Sequence, residues 1–358
     1  MLSFGLMTLN LSSEETYFSE VAKRAYALDI VCYRFTPSAI HPLTEKVTGE
    51  RFNPTTNNWE LAEFPLPDIL YDRCFYRDTP HSNQCKAIVK WLKTRKDLLF
   101  LGHGLPNKLE LYEALSQSEL APYLLHSKPI TSGESFINGL VQQDPVLIKP
   151  VSGSQGRGIY YLEKSQREII VQIDKPDKKI SHIFPDYQRA ADWVNKLIKQ
   201  HHYLVQPYKE LLDENNHPFD IRTLLQKDEA GNWQEICKGI RTGKKEGILS
   251  NLHAGGIITT FESWKELLPI SQQEYICAEI ADILLHLPII LEQIFPPLFE
   301  LGVDIGVCKN GAIWILDINS KPGRKVALSI NPELSDQLYS APLLYGKNLV
   351  LQGKESYQ

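Results

Sequence analysis

The chain lacks a basic excess: 38 Lys and Arg stand against 43 Asp and Glu, a net charge of −5. That removes the electrostatic footprint expected of a partner of DNA, RNA or an acidic membrane. No apolar run approaches the length of a transmembrane helix. The apolar start MLSFGLMTLNLSSEE has neither the basic head nor the cleavage site of a signal peptide, so it reads as a first strand. The six cysteines (Cys32, Cys74, Cys85, Cys237, Cys277, Cys308) form no C-x-x-C pair. Their scatter argues for buried free thiols in a reducing cytoplasm, against a zinc site or a disulfide framework. Repeats, low-complexity tracts and heptads are also missing. What is present is 43% apolar and 23% charged over 358 residues, a globular composition with room for two or three domains.

The pattern of elements is α/β. Strands are expected at 4–9, 30–35, 68–71 and 98–101, and helices at 14–28 and 81–94. The stretch from Pro37 to Pro67 reads as loops with short strands. A helix at 108–116, strands at 146–149 and 159–162, a helix at 187–199 and a strand at 203–206 follow. The chain is strand-rich after Asp220, through 237–241. A helix over 271–287 is expected to end at Pro288.

Two apolar runs, VDIGV and AIWILDI, then flank the turn Lys309-Asn310-Gly311. Asn-Gly between such runs signals a β-hairpin. Alternation puts Asp317 and Asn319 on one face, and the paired strand can bring Asp304 to it. Three hard oxygen ligands suit magnesium, which takes few protein ligands and leaves positions for phosphate. The plainer reading is the polar face of an ordinary strand.

VLIKPVSGSQGRGIYYL, residues 146–162, reads strand, lysine, glycine-rich turn, strand. Gly153, Gly156 and Gly158 permit close backbone approach, and successive N–H groups in such a turn form a concavity for phosphate oxygens. Ser152, Ser154 and Gln155 add donors, and Lys149 adds a point charge. The order is wrong for a P-loop, and a strand rather than a helix follows, which is wrong for a dinucleotide fingerprint. A Gly/Ser hairpin turn is the alternative. Lys108 begins a helix after Asn107 and can reach back toward a phosphate. LVQPY, 204–208, is an apolar strand whose end can meet a purine edge through its backbone. Asp220 and Arg222 share a strand face, as a salt-bridge pair or as site residues. Arg241 and SNLHAGG, 250–256, add a cation and a glycine-bearing loop.

In that order, NK, IKP before GSQGRG, LVQPY, DIR, SNLHAGG and DIN.KPG resemble the ATP-grasp superfamily. DIR with SNLHAGG and DIN.KPG looks most like the ribosomal-protein glutamate ligase branch. The whole chain, with YDRCFYR, is similar to the YheC/YheD-type endospore coat-associated family. The resemblance implies an α/β (α+β) ATP-grasp fold: an N-terminal α/β pre-ATP-grasp domain at 1–104, the ATP-grasp domain at 105–330, and a tail at 331–358. The central lid would span about 128–208 and the metal-binding part about 209–330.

The resemblance further implies ATP with Mg²⁺ or Mn²⁺, and a ligase taking a carboxylate donor and an amine acceptor, such as an amino acid and a peptide or coat protein. A coat protein that binds ATP with little or no catalysis, and a kinase of the same fold, are the alternatives. Lys108 and Lys149 would hold phosphates, with Lys149 also near the adenine. Ser154, Gln155 and Gly156 would lie in the closing loop, and Gln206, Pro207 and Tyr208 in the adenine hinge. Asp220 would border the ribose or the metal–phosphate face, and Asn251 the triphosphate. Arg222 and Arg241 would face the transferred phosphate or the acyl group, and Asp304, Asp317 and Asn319 the metal. Tyr71, Arg73 and Arg77 would line the second-substrate side, and Lys321 and Arg324 would recognise a carboxylate. Pro207 stands where an acid is common, so Tyr208 would supply the hinge N–H. Asp317 stands where glutamate is usual, and Leu249 where an arginine is. A cytoplasmic or coat-associated place follows, and homo-oligomers are common in such folds.

Overall fold

The computed structural model describes residues 1–153, 157–175, 178–250 and 256–355. Three sheets carry the fold. The first has the order β4-β3-β2-β1-β5-β6, from β1 (Leu2–Met7), β2 (Ile30–Phe35), β3 (Val47–Asn53), β4 (Asn58–Phe64), β5 (Ile69–Asp72) and β6 (Leu99–Phe100). β2, β1, β5 and β6 are parallel, with the helices α1 (Glu15–Ala25) and α2 (Pro80–Leu92) connecting them. Thr79 caps α2 by accepting from the Ser82 N–H, with Pro80 at the first helical position. The Pro37–Pro67 stretch departs from expectation. Its β3 and β4 are seven residues each and pair throughout as a hairpin, turned near Asn57 at φ 55°. Phe52, Trp59 and Phe64 supply the apolar contacts that hold it.

The middle of the chain contains α3 (Lys108–Leu115), β7 (Lys128–Pro129), α4 (Gly133–Gly139), β8 (Val146–Pro150), β9 (Tyr160–Lys164), β10 (Ile169–Asp174), β11 (Lys179–Phe184), α5 (Tyr187–Gln200) and β12 (Tyr203–Pro207). Its sheet runs β11-β10-β9-β8-β12-β7, with α4 and α5 packed on one face. Asn107 caps α3 and Asp186 caps α5 through their side-chain oxygens.

The third sheet, β15-β14-β13-β16-β17, is built from β13 (Phe219–Lys227), β14 (Trp233–Thr242), β15 (Ile257–Thr260), β16 (Glu300–Val307) and β17 (Ile313–Asn319). α6 (Phe261–Lys265) and α7 (Ile270–Ile294) precede β16, and α8 (Lys325–Ile330) and α9 (Ser335–Glu355) follow β17. α7 does not stop at Pro288. Ile280, Ile283, Leu284, Leu287, Ile290 and Leu291 bury one stripe on both sides of the proline, and that packing holds the helix across the missing N–H. Most of the expected tail is helix: α9 packs on α1, and Tyr339, Leu343 and Tyr345 complete the core of the first unit.

A buried ion network ties the first unit to the third sheet. Arg73 and Arg324 both reach Glu300, at 2.7 and 2.6 Å, and Arg73 also reaches Glu14 at 2.6 Å. Tyr71 donates to Glu300 at 2.5 Å, and Tyr17 accepts from Arg324. Asp72 bridges Lys93 and Lys321, each at 2.8 Å. The expectation that Tyr71 and Arg73 line a substrate cleft is therefore corrected: the Arg73 side chain is 0% exposed. Lys321 and Arg324 likewise hold carboxylates of the chain itself. Glu300→Ala leaves the buried Arg324 without its carboxylate and Arg73 with Glu14 alone, and should cost about 3–5 kcal/mol in urea unfolding. A loss within ±0.5 kcal/mol would show that the network is not structural.

Candidate nucleotide and metal site

Antiparallel register brings the charged residues of the third sheet together. Asp220 pairs with Arg241, Arg222 with Asp304, and Asp304 with Asp317. Asn319 lies two residues beyond Asp317, on the same face. The turn closes over Lys309 and Asn310, with Gly311 at φ 84° and its N–H on the Cys308 carbonyl at 2.8 Å. A register shift after Asp304 leaves Leu316 as an extra residue on β17, and its carbonyl accepts from Lys149 Nζ at 3.2 Å.

The ion pairs run in a line. Arg241 grips Asp220 through Nε at 2.7 Å and Nη2 at 2.5 Å, and its Nη2 lies 3.0 Å from Asp304 Oδ2. Arg222 Nη2 donates to that same oxygen at 3.1 Å. Arg222 Nε stands 2.6 Å from Asp304 Oδ1, an ionic contact whose angle leaves both atoms without a hydrogen bond. Lys108 Nζ donates to Asp317 Oδ1, and Asn319 Nδ2 to Asp317 Oδ2 at 3.3 Å. Ser250 donates to Asp220 at 2.5 Å. Gly302 makes room for this line, since a Cβ there would fall 2.8 Å from Arg222 Nη1.

The environments push the two facing carboxylates apart. Burial lifts Asp304 above the usual carboxylate range despite Arg222 and Arg241. Burial would lift Asp317 too, but Lys108 and Lys149 outweigh it and hold Asp317 low. Burial and the neighbouring Lys108 bring the Lys149 amine down to about 8.

Lys108, Lys149, Gln206 and Asp317 line one narrow slot, whose walls include Leu111, Leu125, Leu316 and Ile318. A larger open cavity of about 540 Å³ lies elsewhere, against α1, Gly323 and Tyr339, and holds none of these four. Gln206 is buried and donates to Ser127 Oγ at 2.6 Å. The hinge expectation fails at one atom: the Tyr208 N–H is given to the Pro145 carbonyl at 2.9 Å, extending the β8–β12 ladder. Alternation along that ladder turns the Pro207 carbonyl away from β8. Ser154, Gln155, Gly156 and Asn251 lie outside the described residues. One residue was missed: Asp174, at the end of β10, accepts the N–H groups of Ile248 and Leu249 at 2.7 and 2.9 Å. It ties the middle sheet to the segment before Ser250, and nothing in its local sequence signals this.

Among the described residues no group of three or more His, Cys, Asp or Glu side chains could hold a metal ion. Asp304 and Asp317 are two acids, completed by the Asn319 amide oxygen. That donor set is all hard oxygen, which fits Mg²⁺ or Mn²⁺ with substrate oxygens filling the remaining positions.

A family model described as YheC/D like ATP-grasp matches residues 97–349. This chain belongs to the YheC/D-like ATP-grasp family. It is 38% identical to the endospore coat-associated protein YheC of Bacillus subtilis (strain 168) over 344 residues, covering 96% of this chain and 94% of that protein. It is 27% identical to YheD of the same strain over 278 residues, covering 75% of this chain and 60% of YheD. Among solved structures, D-cycloserine synthetase DcsG superposes with a TM-score of 0.56 at 10% identity, covering 98% of this chain and 99% of that one. D-alanyl-alanine synthetase A of Vibrio cholerae gives 0.53 at 10% identity, covering 96% and 98%. The ADP complex of N5-carboxyaminoimidazole ribonucleotide synthetase gives 0.51 at 10%, covering 90% and 72%. These likenesses show the ATP-grasp fold. No helix among the described residues of this YheC/D-like chain is long and apolar enough to cross a membrane.

The Lys149 amine, near 8 in the fold and 10.5 when free, gives a pH signature. Between those values the unfolded chain binds more protons, so stability rises with pH across the window. Urea melts at pH 7.5 and 10 should show wild type gaining roughly 1–3 kcal/mol relative to Lys149→Met. An equal response in both would contradict the shifted amine.

Proposed function

We propose that this chain is an ATP-dependent ligase that joins a carboxylate to an amine through an acyl phosphate, releasing ADP and phosphate. The observation that carries the reading is the pair Asp304 and Asp317, facing each other across adjacent strands and surrounded by Lys108, Lys149, Arg222 and Arg241. The slot that Lys108, Lys149 and Asp317 line, about 40 Å³ here and walled by Leu111, Leu125, Leu316 and Ile318, would open to receive the base. The Pro207 carbonyl, turned away from β8, would accept from its amino group.

Asp304, Asp317 and Asn319 would hold Mg²⁺ (or Mn²⁺), which when bound supplies neutralisation of the phosphate oxygens. Lys108 and Lys149 would hold the phosphates from the other side. Arg222 and Arg241, fixed by Asp304 and Asp220, would stabilise charge as the γ-phosphoryl moves to the carboxylate. An amine then attacks the acyl carbon, and phosphate leaves. No covalent protein nucleophile is needed. Ser154, Gln155, Gly156 and Asn251 would close over the triphosphate, a role carried over from the family resemblance.

A second reading draws on the names of the relatives, both called endospore coat-associated. In it this chain binds ATP within a coat and does not turn it over. The full complement of cations and acids favours turnover. With Mg-ATP, pooled amino acids and coat-protein peptides, wild type should release ADP only when an acceptor is present. Asp317→Asn and Lys149→Ala should each lower that rate at least a hundredfold. ATP binding with no acceptor-stimulated ADP would favour the coat reading. A phosphorylated product stable to hydroxylamine would point to a kinase, since an acyl phosphate is trapped by it.

A further inference from the structure

We propose that Lys108 is a resident counter-ion for Asp317, handed over to the triphosphate when nucleotide enters, so that a divalent cation binds only with nucleotide. The inference rests on the nucleotide reading above and adds an order of events.

Every carboxylate oxygen of the facing pair already has a cation or an amide on it. Asp317 Oδ1 takes Lys108 Nζ and Oδ2 takes Asn319 Nδ2. Asp304 Oδ2 takes Arg222 and Arg241, and its Oδ1 lies against Arg222 Nε. The tally is also unfavourable to a lone metal ion: Asp220, Asp304 and Asp317 meet Lys108, Lys149, Arg222 and Arg241, one cation more than there are acids. A divalent ion entering alone is repelled at close range in a half-buried place, where charges interact more strongly than in water. A triphosphate is attracted to the same place.

Lys108, the cation bonded directly to Asp317, is built to move. Its backbone is fixed: the N–H donates to the Val151 carbonyl at 3.1 Å, and Asn107 caps the helix it begins. That anchor places the root of its side chain beside the start of the glycine-rich turn. The four-carbon stem can swing an ammonium from a carboxylate to a phosphate without moving the helix. The two arginines are instead locked by planar, multi-point contacts along the sheet.

The test is equilibrium binding of Mn²⁺, read by its electron paramagnetic signal, with and without a non-hydrolysable ATP analogue and corrected for metal held by free analogue. Wild type should bind Mn²⁺ at least tenfold more tightly with the analogue than without it. Lys108→Met keeps the stem and removes the charge, so it should bind nucleotide-free Mn²⁺ at least tenfold more tightly than wild type. Adding Asp317→Asn should cancel that gain. Lys108→Gln repeats the test if the Met variant does not fold. If the analogue leaves wild-type Mn²⁺ binding unchanged, the nucleotide reading fails and this inference with it. If the analogue strengthens it but Lys108→Met binds nucleotide-free Mn²⁺ no better than wild type, the nucleotide reading stands and the counter-ion role is overturned.

Discussion

Arg222 and Arg241 meet Asp304 on the face of a five-stranded sheet opposite its apolar core, with little exposure, and the arrangement around them follows from that meeting. Taking an ion out of water costs about several kcal/mol even after the protein relaxes, so an unpaired charge there would not persist. The register of β13, β14 and β16 supplies the pairing, since it lays Asp220 opposite Arg241 and Arg222 opposite Asp304. Neighbouring features serve this line. Gly302 leaves space for a guanidinium, Ser250 adds a hydrogen bond to Asp220, and the extra residue at Leu316 lets β17 bring Asp317 up to Asp304. The charges are thus positioned by strand pairing.

A second buried charge, Glu300, fixes the frame in which that face works. It begins β16, four residues before Asp304, and it holds Arg73 from the first unit and Arg324 from beyond β17. The first unit is thereby fastened to both ends of the metal-candidate hairpin. α9 closes the same unit from outside through Tyr339, Leu343 and Tyr345. The middle sheet is tied to the segment before Ser250 through Asp174, which accepts the N–H groups of Ile248 and Leu249.

Legibility in the sequence followed the range of the interactions. Elements with local signals were readable: the Asn-Gly turn before β17, and the helices opened by Thr79, Asn107 and Asp186. The same-face placement of Asp317 and Asn319 needs only the period of a strand. What was not readable depended on distant partners. The β10–β11 hairpin ends in the edge strand KISHIF, exposed along most of its length, so it carries no buried alternation. α7 crosses Pro288 because of leucines and isoleucines packed from other elements. Tyr71, Arg73 and Arg324 look like surface chemistry in the sequence, and only the fold shows them converging on Glu300. The Tyr208 N–H could be assigned to a ligand only while its ladder partner, Pro145, was unknown.

The relatives fix the family, and the face where Asp304 and Asp317 meet Lys108 and Arg222 is what the proposed ligase reading rests on. The most direct measurement of the central claim is the path of carboxylate oxygen. Wild-type protein is given Mg-ATP, an amine pool and carboxylates labelled with oxygen-18, and the released phosphate is weighed by mass spectrometry. An acyl phosphate predicts one labelled oxygen in each phosphate formed with acceptor. Unlabelled phosphate released at the same rate as ADP would contradict it.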